Sequence, residues 1–81
     1  MVVNMNLNEA INLLDIASDF NFESSEKKPN ISIYDNQNEG YVLYVKANLV
    51  NEKYRDYLKE IVESRRLGMR ESEGYLIIYG P

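Results

Sequence analysis

Hydrophobic residues recur with two different periods along this chain, and the order of those periods is what most constrains its fold. In the first segment, apolar residues are spaced by three and four positions: Leu7, Ala10, Ile11, Leu14 and Ala17. That spacing is typical of one apolar stripe on an α-helix. Asn6, followed three residues later by Glu9, has the pattern of a capping box. We therefore predict a first helix over residues 7–18.

A second helical stripe lies in the other half of the chain. Its members are again three and four residues apart: Tyr54, Tyr57, Leu58, Ile61 and Val62. Asn48 or Asn51 can cap the start of this helix. Arg65 and Arg66 suit its negative end, and Gly68 is the expected residue just past its end.

The remaining apolar segments alternate every second residue, which indicates β-strands. Residues 31–35 and 41–47 alternate in this way around a polar turn, so they predict a β-hairpin. We expect the inward side chains to be Ile31, Ile33, Leu43 and Val45. Residues 75–79 form the last strand, and residues 69–71 can pair with it through a turn at residues 72–74.

Together these elements predict an α+β fold in the order α-β-β-α-β-β. Two helices would cover one face of an antiparallel sheet of three or four strands. If Val2, Val3 and Asn4 form a first strand, the order becomes β-α-β-β-α-β, the split, ferredoxin-like arrangement. A length of 81 residues predicts a single domain over residues 1–81.

Two missing residue types restrict the chemistry. Cysteine and histidine are both absent, which excludes Ser–His and Cys–His nucleophiles and any Cys/His zinc site. No glycine-rich phosphate loop and no calcium-loop spacing is present. We therefore expect no enzyme activity, no cofactor and no metal.

The location of the protein is predicted from similar absences. No apolar run approaches the roughly 20 residues that a membrane span needs, and the first residues lack the pattern of a signal peptide. We expect a cytoplasmic protein without membrane contact. Asparagine is frequent, and because thermophile proteins tend to avoid this labile amide, we expect a mesophile source.

The net charge of −4 is unevenly distributed. Residues 1–26 contain acidic side chains but no Lys or Arg, so the chain is acidic at this end. Asp15, Asp19 and Glu23 are candidates for an acidic patch that attracts a basic partner. The alternative is an ordinary solvated helix face.

Tyrosines form the most promising functional pattern. An outward sheet face is predicted to contain Tyr34, Tyr44, Tyr75, Ile77 and Tyr79. Such amphipathic side chains are frequent at the contact centres of protein interfaces. Alternatively, tyrosines simply pair well across half-buried strands. An 81-residue chain is not expected to cover this second face by itself.

The sequence therefore favours a non-catalytic protein–protein interaction module with an unknown partner. One alternative is a homodimeric structural domain that uses the same face. Another is a weak single-stranded nucleic-acid binder, because residues 40–45 partly resemble the RNP1 strand of RNA-recognition motifs. Glu39, Val42 and Leu43 depart from that pattern, and a pI near 4.7 disfavours nucleic acid.

Overall fold

The computed structural model describes residues 4–80 and shows an α+β fold in the predicted order α-β-β-α-β-β. The two helices are α1 (Leu7–Ser18) and α2 (Glu52–Ser64). The four strands are β1 (Ile31–Asn36), β2 (Gly40–Lys46), β3 (Gly68–Ser72) and β4 (Tyr75–Tyr79). A short 3₁₀ turn, Ala47–Leu49, leads from β2 to α2. Val2 and Val3, on which the alternative order depends, lie outside the described residues.

All strand pairs of the sheet are antiparallel, in the order β1-β2-β4-β3. Leu43 of β2 lies between Ile33 and Ile78 in register. The two most apolar strands, β2 and β4, are therefore central, because a central strand is covered on both sides by neighbours. The polar strand β3 forms one edge of the sheet, and β1 forms the other.

Both helices pack on one face of the sheet, with α1 against β1 and β2 and α2 against β3. The predicted inward residues of the hairpin do face this layer, since Leu43 and Val45 are fully buried and Ile31 and Ile33 pack against the core. The largest buried side chains of this core come from every layer: Leu13, Leu43, Leu58, Leu76, Ile78 and Tyr54.

Helix α1 begins where the capping pattern predicts. The Asn6 side chain accepts a hydrogen bond from the Glu9 amide at 2.8 Å, and the Glu9 side chain reaches back to the Asn6 amide. The apolar stripe predicted for α1, however, coincides only in part with the side of the helix that is buried. The side chains of Ala10, Leu13 and Ala17 are buried, whereas Leu7 and Ile11 are 44% and 43% exposed. Because α1 packs against α2 as well as the sheet, its buried side turns toward Leu13.

Helix α2 is capped by Asn51, whose side chain accepts from the Tyr54 amide at 2.8 Å. Its predicted stripe is confirmed: Tyr54, Leu58 and Val62 are buried, and Tyr57 and Ile61 pack beside them.

The predicted role of Gly68 at the end of α2 is wrong. Arg66 takes the left-handed conformation with φ 57°, and Leu67 donates its amide to the Val62 carbonyl at 2.9 Å, which makes a Schellman motif. Gly68 instead begins β3, opposite Tyr79. A Cβ atom at this position would collide with the Tyr79 ring, so the small residue makes room for that ring.

Two tyrosine hydroxyls join the helices. Tyr54 donates to the Ala17 carbonyl at 2.7 Å, and Tyr57 donates to the Ile16 carbonyl at 2.8 Å. Both carbonyls belong to the last turn of α1, where the Ile16 carbonyl also accepts the amide of the C-cap residue Asp19 at 3.1 Å. Phe20 packs edge-on against Tyr54 with 5.1 Å between ring centroids, and this contact holds the start of the following loop against the core. Burial raises the pKa of Tyr54 to about 12.

Residues 23–28, in the loop between α1 and β1, have six polar side chains and no apolar anchor, which predicts a mobile segment whose amides exchange fast. The structure gives it a polar anchor at Glu26. One carboxylate oxygen accepts the Glu23 amide at 2.9 Å, and the other accepts from the side chain of Asn51. The Glu26 amide also bonds the Glu23 carbonyl at 2.9 Å. The rate at which these amides exchange with solvent stays a prediction.

Candidate interaction surface

The sheet face that the helices leave uncovered contains the five residues expected there. We call Tyr34, Tyr44, Tyr75, Ile77 and Tyr79 the tyrosine face. Strand register places them together, because Ser32 pairs with Tyr44, and Tyr44 pairs with Ile77. Side chains of directly paired residues lie on the same side of a sheet. The alternation of each strand therefore places the whole set on one surface, as predicted.

Three of these rings form a continuous row across β1, β2 and β4. The centroids of Tyr34 and Tyr44 are 4.8 Å apart with 66° between the ring planes, a T-shaped contact. Those of Tyr44 and Tyr75 are 5.6 Å apart at 55°. Such edge-to-face contacts are favourable beyond the area they bury. The row is therefore an ordered aromatic layer rather than a set of independent side chains.

Two aliphatic residues lie beneath the rings. Val42 is 1% exposed and Ile77 is 4% exposed, although both side chains are on the face without helices. The structure differs here from the expectation that a chain of this length leaves its second face open. The tyrosine rings cover that face themselves. Within the tyrosine face, Ile77 is consequently a support for the rings and does not reach the surface.

The opposite end of the face is closed by an arginine. The Arg70 guanidinium carbon lies 4.7 Å from the centroid of the Tyr79 ring, in a cation–π contact. Its two terminal nitrogens donate to the two carboxylate oxygens of Glu39 at 2.8 and 3.0 Å. These hydrogen bonds hold the pKa of Glu39 below its ordinary value. Asn36 also donates to Glu39 at 3.0 Å, so the β1–β2 turn is tied to β3.

Access to the rings differs within the tyrosine face. Tyr34 is 54% exposed and Tyr75 is 38% exposed, while Tyr44 and Tyr79 are half-buried. A shallow groove of about 480 Å³ is lined by Tyr34, Val42 and Tyr44 together with residues 35–37. A partner would therefore contact mainly Tyr34 and Tyr75, with Tyr44 between them.

The residues of the predicted acidic patch are all exposed. Asp15 lies on α1, Asp19 is its C-cap residue, and Glu23 lies in the following loop. In the range 4–80, ion pairs join Arg55 to Glu71 and Arg70 to Glu39, and none includes these three acids. Nothing in their geometry distinguishes a partner site from a solvated helix end.

The pairing of Arg70 with Glu39 was not predicted from the sequence. The two residues are 31 positions apart, and they meet only because β4 lies between β2 and β3. The sequence feature that comes closest to predicting this pair is the turn of the β3–β4 hairpin. Its two residues, Glu73 and Gly74, have φ values of 52° and 84°. Once that turn fixes the register, Arg70 falls on the same face as the tyrosines.

The described part of the chain offers little other chemistry. Among residues 4–80, no group of three or more acidic side chains is placed to hold a metal ion. No helix in that range is long and apolar enough to cross a membrane. No protein-family model, no curated protein and no solved structure matches the chain.

Proposed function

We propose that this chain is a non-catalytic protein-binding module that contacts its partner through the tyrosine face. The observation that carries the proposal is the row of Tyr34, Tyr44 and Tyr75, which is partly exposed above a buried aliphatic floor. Rings that are already ordered lose little conformational entropy when they are covered. Tyrosine also combines a large apolar area with a hydroxyl that hydrogen-bonds at a partner surface.

The charges around the face favour a protein over a nucleic acid. Lys46 and Arg70 are the cations whose positions share this face, and Arg70 already binds the Glu39 carboxylate. A single-strand binder needs a positive groove along the backbone in addition to stacking rings. A net charge of −4 further opposes phosphate binding.

Three forms of the chain test this proposal as baits in an extract of the host cells. In Tyr34→Ala/Tyr75→Ala the two most exposed rings are removed, and in the matched control Tyr34→Phe/Tyr75→Phe the rings stay but the hydroxyls are lost. The wild type should retain proteins that bind through the tyrosine face, and the Ala variant should retain at least about tenfold less of them. Quantitative mass spectrometry measures this ratio, and circular dichroism checks that both variants fold.

The Phe control separates two kinds of contact. Retention by the Phe variant assigns the affinity to the rings, while a loss as large as that of the Ala variant assigns it to the hydroxyl groups. Proteins that bind the Ala variant as well as the wild type contradict the proposal. Binding to a generic single-stranded oligonucleotide that weakens steeply with salt would favour the nucleic-acid alternative instead.

A further inference from the structure

Strand β1 has one side that no other strand of the sheet occupies. Directly after the end of β2, the amide of Ala47 donates to the Gly74 carbonyl at 2.9 Å, on the side of β4. Hydrogen-bonding direction alternates along an antiparallel strand, so Leu43 and Val45 also direct their backbone groups toward β4. On β1, the residues paired with Val45, Leu43 and Tyr41 direct their backbone amides and carbonyls away from β2, toward the free edge of the sheet. These residues are Ile31, Ile33 and Asp35.

Large exposed apolar side chains gather near this open edge. Four such residues lie between positions 4 and 80: Leu7, Ile11, Tyr34 and Tyr75. Tyr34 belongs to β1 itself. Leu7 and Ile11 are one turn apart on α1, the helix that packs on β1 and β2. Three of the four therefore lie on elements at this side of the molecule.

The direction of Leu7 and Ile11 follows from what the other side of α1 contacts. Leu13 and Glu9 line a cleft together with residues at the end of α2, and Ile16 lines another cleft with Tyr57. Leu7 and Ile11 lie on the opposite side of the α1 helix from these residues, at helical spacing. They therefore face away from α2, over the β1 edge of the sheet.

The other sheet edge has the charged side chains that normally discourage pairing. On β3, Arg70 binds Glu39 and Glu71 binds Arg55 at 3.1 Å. Such charges protect an exposed edge from other strands. Strand β1 has a single charged residue, Asp35, near its end. The two edges thus differ in the way expected if β1 is the one that is covered.

We propose that two copies of this chain associate through their β1 edges and form one continuous antiparallel sheet. Centred on Ile33, the pairing places Ile33 beside the same residue of the second copy and Ile31 opposite the second copy's Asp35. The strand is complementary to itself in this register, since each outward donor meets an outward acceptor. No like charges face each other, which matters for a chain of net charge −4.

Side chains on both sides of the joined strands support the pairing. On the helix side, Leu7 and Ile11 of each copy approach the second copy. On the other side, Tyr34 lies beside the second copy's Ser32, so the tyrosine faces of the two copies continue across the joint. A six-residue strand is about 20 Å long, and at a height of roughly 25 Å the contact covers about 500 Å² per copy. The total of about 1,000 Å² is at the lower limit for a specific interface, so we expect a weak dimer that dissociates on dilution.

Sedimentation of the full chain over a range of concentrations tests the proposal. The wild type should change from monomer to dimer, whereas Leu7→Gln/Ile11→Lys should weaken the dimer at least about tenfold. Both substituted positions are exposed, so the fold should persist. The new lysine makes the net charge less negative, so general repulsion falls and cannot explain a loss of the dimer. Asp35→Pro, which removes one outward amide, should act in the same direction.

Tyr75→Lys is the matched control, because Tyr75 is exposed and apolar but lies on β4. It should leave the dimer intact while removing contacts of the tyrosine face, so the failure of one proposal is distinguishable from the failure of the other. Amide exchange gives an independent reading: the amides of Ile31 and Ile33 should become protected as the concentration rises. A chain that stays monomeric at about 1 mM, or a dimer that survives in Leu7→Gln/Ile11→Lys, overturns the proposal.

Discussion

The two tyrosine hydroxyls of α2 act at the end of α1 as a cap would. The last turn of α1 contains no basic residue, and its carbonyls at Ile16 and Ala17 accept from Tyr57 and Tyr54. Tyr54 is completely buried, so its hydroxyl could not remain without an acceptor. The stripe of α2 thus combines two roles, because the rings fill the core and their hydroxyls fix how the helices meet.

The buried position of Tyr54 predicts a loss of stability in alkali. Its pKa is raised to about 12 in the folded chain, against an ordinary value near 10 when unfolded. The folded state holds the proton of the Tyr54 hydroxyl more tightly than the unfolded state does. The contribution of this group to the free energy of unfolding is therefore complete below about pH 10 and is lost as the pH rises toward 12. We expect the free energy of unfolding to fall by up to about 2 kcal/mol over this interval because of Tyr54. Urea unfolding followed by circular dichroism at several pH values measures this loss.

Two variants isolate the contribution of Tyr54. Tyr54→Phe should be less stable than the wild type at neutral pH, by about 1–2 kcal/mol for the lost hydrogen bond, but less sensitive to alkali. Val62→Ala is a destabilised control that keeps Tyr54. Its free energy of unfolding should therefore fall in alkali by the same amount as that of the wild type. Equal alkaline losses in Tyr54→Phe and the wild type would refute the assignment.

At the scale of elements, periodicity was enough to place both helices and the hairpin strands. The bounds of α1 and the stripe of α2 are as predicted, because caps and hydrophobic spacing are local properties of the sequence. The buried side of α1 was predicted only in part, since the spacing of apolar residues does not show which elements a helix packs against. Gly68 was assigned to a helix end for the same reason: its contact, Tyr79, is distant in sequence.

A pair of leucine substitutions tests which side of α1 is buried. Leu13 is 1% exposed and Leu7 is 44% exposed. Leu13→Ala should therefore reduce the free energy of unfolding by about 2–5 kcal/mol, since it removes core contacts and leaves a cavity. Leu7→Ala should change it by less than about 0.5 kcal/mol in the monomer. Chemical denaturation in dilute solution provides both values, and the reverse ranking would support the stripe expected from spacing alone.

At the scale of the whole molecule, this short chain covers both faces of its sheet. Helices cover one face, while the other is covered by tyrosine rings over Val42 and Ile77. The sequence pattern placed the tyrosines on the right surface, because alternation fixes the side of each strand. It did not show that the rings contact one another, since ring contacts such as Tyr44 with Tyr75 depend on the strand order β1-β2-β4-β3.

The covered second face predicts that Ile77 behaves as a core residue. It is 4% exposed although it belongs to the face without helices. Ile77→Ala should lower the free energy of unfolding by about 2–4 kcal/mol, close to the effect of Ile78→Ala on the helix side. Ile77→Val, which removes a single methyl group, should cost only about 0.5–1.5 kcal/mol.

Tyr75→Ala provides the comparison for the tyrosine layer. Tyr75 is 38% exposed, so truncating it leaves a site open to water and not an enclosed cavity, and its removal should cost less than that of Ile77. In denaturant, Ile77→Ala should unfold at a lower midpoint than both Tyr75→Ala and the wild type. The slope of the free energy of unfolding against denaturant concentration should not change, because the same surface is exposed on unfolding. If Ile77→Ala were as stable as the wild type, the rings would not seal this face in solution. The tyrosine face would then be an open apolar surface, and its burial would have to come from a partner rather than from the chain itself.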